Sequence, residues 1–269
     1  MSPSPPFSSL LTRLNRSARD WIASWWRIVR FALLIFSLLL TPSSYERSNR
    51  EAIARQLVLA SNANLLWFTV LAALISVVLI RIVVVTALSY GLSQYALEMV
   101  VRVLVLELIP LTAAAFVALR CTLPDGLEFA QQRISRTSRT SKSAPDIATL
   151  QHDFLPRVLA GLFSVWLLAA VSCVMALVLA YITIYGFTPW ALAGYTRVVG
   201  QIFNPAVATI LLMKVLLFSL AVALIPMASS YDDGARRRRL DASHGLLDMV
   251  RLFSVILIVE VGSLMGNYY

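Results

Sequence analysis

Residues that carry chemistry are scarce in this chain. Its 269 residues include two cysteines, Cys121 and Cys173, and two histidines, His152 and His244. None sits in a Cys, His or carboxylate cluster at metal-ligand spacing, and both cysteines lie in apolar runs. A disulfide framework and a metal site are therefore not expected. Charged residues make up only 14% of the chain, against about 25% in an ordinary soluble domain. A Walker A sequence, a glycine-rich phosphate loop and a nucleophile elbow are all missing. Serine, histidine and aspartate occur, but scattered. The chain reads as a non-enzyme with no cofactor of its own, and any energy input must come from another chain. The first apolar stretch follows a long basic lead without a small-residue cleavage pattern, so a cleaved signal peptide is not expected.

What the chain has in excess is apolar sequence. Hydrophobic residues make up 59% and the mean hydropathy is +0.77. This composition predicts an all-α integral membrane protein. The formal net charge of +9 comes from basic residues between the apolar runs. They read as topology signals and contacts with anionic headgroups, not as a nucleic-acid site.

Residues 1–12 are rich in Ser and Pro and read as disordered. Residues 13–60 read as an interfacial amphipathic helix and a connector. Leu14, Ala18, Trp21, Ile22, Trp25 and Val29 share one helical face, with Arg16, Arg19, Asp20, Arg27 and Arg30 on the other. The apolar run Phe31–Leu40 is too short to span, so the helix is expected to lie in the membrane interface. A tilted span with snorkelling arginines is the alternative. Residues 61–269 read as a five-helix domain. Its expected spans are Asn64–Leu88, Met99–Leu119, Val158–Tyr181, Phe203–Met227 and Leu246–Met265, each near the roughly 20 residues that a bilayer requires. Arginines and lysines concentrate before the first span, between the second and third, and between the fourth and fifth. The positive-inside rule then places the amino terminus in the cytoplasm and the carboxyl terminus outside. The connection 181–203 is aromatic, and Thr188-Pro189 reads as the cap and first residue of a short helix there.

Four ionisable residues stand out inside the apolar runs: Arg81, Arg102, Glu107 and Lys214. A carboxylate at the centre of a membrane helix costs about 2.5–3.5 kcal/mol on insertion scales. Pro110 follows Glu107 by three residues and deprives Leu106 of its α-helical hydrogen bond. Glu98 and Arg102 have the spacing of a helix-surface pair. In α-helical geometry Arg102 and Glu107 are about 140° apart, so Glu107 needs a partner elsewhere. Lys214 and Arg81 are the candidates for an interhelical ion pair. The other reading is a polar lining for an amphiphilic substrate. Thr122–Ser143 reads as a basic, Ser/Thr-rich linker or as a docking element beginning with a short helix at Asp125–Arg133. Arg236, Arg237, Arg238 and Arg239 read as contacts with the anionic inner leaflet or with a partner.

Several pieces of the chain resemble the MlaE/YrbE family, permease subunits of ABC lipid transporters that work with MCE-domain proteins. Arg55-Gln56-Leu57 precedes the first span as a similar triplet does in the family. Leu106-Glu107-Leu108-Ile109-Pro110 is similar to its Arg-Glu-Leu-Gly-Pro stretch, with Leu106 and Ile109 as departures. Pro156-Arg157-Val158-Leu159-Ala160-Gly161 resembles its entry to the third span. Leu212-Met213-Lys214 and Ser230-Tyr231-Asp232 resemble its fourth span and the following turn. The resemblance implies a bacterial inner-membrane protein that handles phospholipid or a similar amphiphile. It implies a second permease chain, a cytoplasmic ABC ATPase that holds ATP and Mg, and an MCE-domain protein. On this resemblance the lipid pocket would include Glu107, Arg81, Arg102, Tyr90, Pro110 and Lys214. The segment facing the ATPase would lie within about 120–157 and include Asp125, Glu128, Gln131 and Arg133.

Overall fold

The computed structural model describes residues 25–39, 47–92, 95–128, 153–232 and 242–268. Among these the chain is helical and contains no strand. Helix α1 covers residues 25–39. Helix α2 runs Arg47–Ser89. Helix α3 is a continuous rod over Ala96–Glu128. Helices α4 Leu155–Tyr185, α5 Leu192–Ile202, α6 Pro205–Asp232 and α7 Ala242–Tyr268 follow. Five stretches are long and apolar enough to cross a bilayer: Leu65–Ser89, Ala96–Glu128, Leu155–Tyr185, Pro205–Ser229 and Leu246–Gly266. The five expected spans are therefore present. The residues 1–24, Gln131, Arg133 and Arg236–Arg239 lie outside the described residues.

Helix α4 packs along α2, then against α6, and α6 packs against α7. In lipid, helix association depends on close van der Waals packing, because the tails are as apolar as leucine. Small residues line the closest crossings here. A Cβ on Gly161 would meet Thr122 Cγ2 of α3 at 3.1 Å and Ala223 Cβ of α6 at 3.3 Å. A Cβ on Gly126 would meet Pro226 of α6 at 3.1 Å. The central core joins Ala114, Val117 and Ala118 of α3 to Leu168, Phe218, Val222 and Leu252. Helix α1 buries Phe31 and Ile35 against Phe154, Leu155, Val158 and Met227. Its packed line is thus Phe31–Ile35, while Val29 of the expected apolar line is exposed.

Helix α3 is not uniform. It is π-helical over Val101–Leu108, α-helical over Ile109–Val117 and π-helical again over Ala118–Thr122. The Ile109 amide donates to Leu104 O, five residues back. Pro110 leaves two carbonyls here without a donor from their own helix. Lacking an N–H, it cannot serve Leu106 O in an α register or Val105 O in a π register. Both carbonyls are met by other helices. Lys214 Nζ donates to Leu106 O at 3.2 Å, and Cys173 Sγ donates to Val105 O at 3.8 Å. The expected angular spacing of Arg102 and Glu107 assumed an α-helix, and the π register replaces it.

The connection after α4 turns at Gly186, whose φ of 70° lies in the left-handed region that favours glycine. A 3-10 turn, Pro189–Ala191, leads into α5 with Pro189 as its first residue, as expected. Thr188 does not cap it with its side chain. Its Oγ1 donates back to Tyr185 O at 2.8 Å instead. Asn204 supplies a side-chain cap for the next helix, accepting from the Val207 amide at 2.8 Å ahead of Pro205.

Candidate functional site

The π segment of α3 delivers Glu107 to the interior, and α6 delivers Lys214 opposite it. Lys214 is 2% exposed, so its charge requires compensation within the fold. The ammonium bonds to the Glu107 carboxylate, reaches Leu106 O, and stands 2.9 Å from Glu260 Oε2 of α7. The Glu260 contact falls at ion-pair distance but outside hydrogen-bond geometry. Phe218 lies one turn further along α6, its ring centroid 5.8 Å from Nζ. One cation and two carboxylates from three helices thus form a single cluster, with Lys214 and Glu107 buried and Glu260 partly buried.

Three of the expected pocket residues converge here: Glu107, Lys214 and, through the carbonyl it frees, Pro110. The other three do not join them. Arg102 pairs with Glu98 at 2.9 Å on a half-exposed surface, the pair its spacing predicted. Arg81 and Tyr90 are exposed. Glu260 was missed by sequence reasoning. It lies in the run Val255–Val261, and an intramembrane carboxylate is the same signal that singled out Glu107. Asp248 and Arg251, paired at 3.2 Å on α7, were also passed over. Of the expected ATPase-facing residues, Glu128 is exposed, while Asp125 is half-buried within electrostatic reach of Arg157.

A separate cavity of about 160 Å³ opens between α2 and α3. Phe68, Ile75, Leu104, Leu108 and Phe116 supply apolar walls. Its hydroxyls, Ser76 and Thr112, are turned to their own helices. Ser76 Oγ donates to Ala72 O at 2.6 Å and Thr112 Oγ1 to Leu108 O at 2.8 Å. Glu107, Lys214 and Glu260 do not line it. The volume is below the roughly 300–1,000 Å³ of a typical ligand pocket. Such a space suits a stretch of hydrocarbon, not a whole lipid. Among the described residues there is no cluster that could hold a metal ion.

At the end of the bundle where α5 lies, Tyr181, Tyr185 and Tyr195 cluster, with Tyr195 edge-on to the other two. Their centroids are 5.2 Å apart for Tyr181–Tyr195 and 6.3 Å for Tyr185–Tyr195. Tyr195 Oη donates to Leu177 O at 2.8 Å. Burial, and then the neighbouring Tyr185, push its phenol up to about 12. It therefore remains a neutral donor at any ordinary pH.

A family model described as Permease MlaE matches residues 53–263. No curated protein matches the chain. The matched stretch covers well over half of the sequence and includes the five membrane-spanning stretches almost entirely, with Glu107, Lys214 and Glu260 inside it. The chain is a multi-pass membrane permease of the MlaE family.

Proposed function

We propose that this chain is the permease subunit of an MCE-associated ABC transporter. It moves phospholipid or a similar amphiphile between a bacterial inner membrane and the periplasmic side. The family match over residues 53–263 is the observation that carries this reading. ATP and Mg belong to a separate cytoplasmic ATPase. The positive-inside pattern of the connections supports an amino terminus in the cytoplasm and α5 on the outer side. Two permease chains side by side would enlarge the apolar space between α2 and α3 to lipid size. The cluster of Glu107, Lys214 and Glu260 ties α3, α6 and α7 into one body, so a movement of α3 at its cytoplasmic end carries the other two. Asp125 and Glu128, in the last turns of α3, are the residues through which the ATPase would act.

The test is purification of the native complex and reconstitution in phospholipid vesicles. The expected result is co-purification of an ATPase and an MCE-domain protein, with ATP hydrolysis stimulated by lipid. Counting distinct permease chains in the same sample separates a homodimer from a heteromer. A complex that anchors an MCE-domain protein but never couples hydrolysis to lipid identifies a structural anchor instead. Uptake by the chain alone, driven by a proton gradient, would overturn the ABC reading.

A further inference from the structure

The loop after α4 is built rigidly, yet it holds its large apolar side chains away from the fold. Tyr181 Oη donates to Thr188 O, Thr188 Oγ1 donates to Tyr185 O, and the Ala191 amide donates to Thr188 O. The three clustered tyrosines pin α5 from behind, and Asn204 fixes its exit. Despite this scaffolding, Phe187 is 86% and Trp190 93% exposed. Rings of this size typically bury about 150–250 Å² when covered. Holding two of them out on a fixed turn implies a partner outside the chain.

Three observations identify that partner. First, the turn continues directly from a membrane span. Helix α4 has 31 residues, about 46 Å of helix, against about 40–45 Å for a bilayer with its headgroups. The chain therefore emerges at headgroup depth, with Trp190 five residues beyond Tyr185. Second, residues 182–204 contain a single charge, the exposed Arg197, and no acidic residue. This suits anionic phosphates and offers little to a charged protein surface. Third, the turn between α2 and α3 exposes Tyr90, Leu92 and Tyr95, and the start of α3 touches α5. Exposed tyrosine, tryptophan and phenylalanine thus gather at one end of the bundle, as in the aromatic belts of membrane–water interfaces.

We infer that residues 186–203, with Tyr90 and Tyr95, lie in the headgroup–glycerol zone of the adjoining leaflet, with Phe187 and Trp190 inserted and Arg197 at the phosphates. The loop is a membrane-surface anchor and does not rise into the aqueous phase. One consequence concerns height. Lys214 lies nine residues into α6, about 14 Å below Pro205, which is near the middle of a hydrocarbon core about 30 Å thick. The anchored loop fixes that depth.

The experiment uses the full chain in vesicles of phosphatidylethanolamine and phosphatidylglycerol. The Trp190 signal is the difference between the wild type and Trp190→Phe. It is read with lipids brominated high or low on the acyl chain, and with aqueous iodide. The expected result is loss of most of the Trp190 emission to shallow bromines, less to deep bromines and least to iodide. Phe187→Trp adds a second reporter with the same expected order, and serves if Trp190→Phe fails to fold. Quenching by iodide alone would overturn the inference, placing the loop in water. Protection from all three quenchers would also overturn it, because a second copy or another protein would then cover the ring. The readout involves no transport, so its failure is separate from failure of the permease reading.

Discussion

Helices α3 and α7 each carry one glutamate to the same lysine, but they are opposite kinds of helix. In α3, 61% of the most apolar stretch is buried inside the fold; in α7 the figure is 11%. Helix α3 is surrounded, interrupted by two π segments and held by Lys214 and Cys173 at its freed carbonyls. Helix α7 leans mainly on α6 and leaves much of its surface uncovered by the chain, with Leu257, Ile258 and Val261 exposed. A buried carboxylate can therefore be held in two ways. Glu107 is fixed by its own crowded helix, and Glu260 helps hold a peripheral helix in place. Lys214 is common to both.

The largest effect is expected from Lys214→Met. It leaves the buried Glu107 and the partly buried Glu260 without their cation, and losing one partner of a buried pair costs about 3–5 kcal/mol. Folded yield and thermal stability in detergent should both fall sharply. Next comes the packed crossing beside α3. Gly161→Val should cost about 1–3 kcal/mol by overpacking against Thr122 and Ala223, read as a lowered Tm. The two glutamates should then separate. Glu107→Gln removes a charged hydrogen bond worth about 1.5–3 kcal/mol, whereas Glu260→Gln, outside hydrogen-bond geometry, should lose less. Equal losses would erase the distinction between the two helices. If Glu107 also serves lipid handling, transport will fall further than yield. The half-exposed Glu98–Arg102 pair marks the surface limit of α3: Glu98→Gln should cost about 0.2–1 kcal/mol, diminishing in salt. Last, Gly262→Ala on α7 should not destabilise at all. Its Cβ would meet nothing within 4 Å, and alanine in place of a mid-helix glycine gains about 0.5–1 kcal/mol, read as a slightly raised Tm.

Those contrasts also show which parts of the molecule are legible in sequence. Span number and position follow from run length alone, because a bilayer admits few alternatives to a helix of about 20 apolar residues. Glu107 and Lys214 are legible as charges where charge is costly, and Pro110 as a lost donor. The π register is not legible, because it depends on carbonyls finding Lys214 and Cys173, which lie 108 and 68 residues away from their acceptors. Glu260 carries the same legible signal, a charge inside an apolar run. The convergence of three helices on Lys214 was not readable, since it is set by packing. Arg81 and Tyr90 illustrate the converse. Arg81 lies within a span and Tyr90 just past its end, but position along a span does not determine which way a side chain faces.

Lys214 is the shared counter-ion of the carboxylates that α3 and α7 carry into the bundle. The decisive measurement is a double-mutant cycle of Lys214→Met and Glu107→Gln, read as thermal stability of the purified full chain. The predicted result is strong non-additivity, with the double variant less destabilised than the sum of the single variants, because removing Glu107 relieves part of the uncompensated charge. Effects that add to within about 0.5 kcal/mol would contradict it.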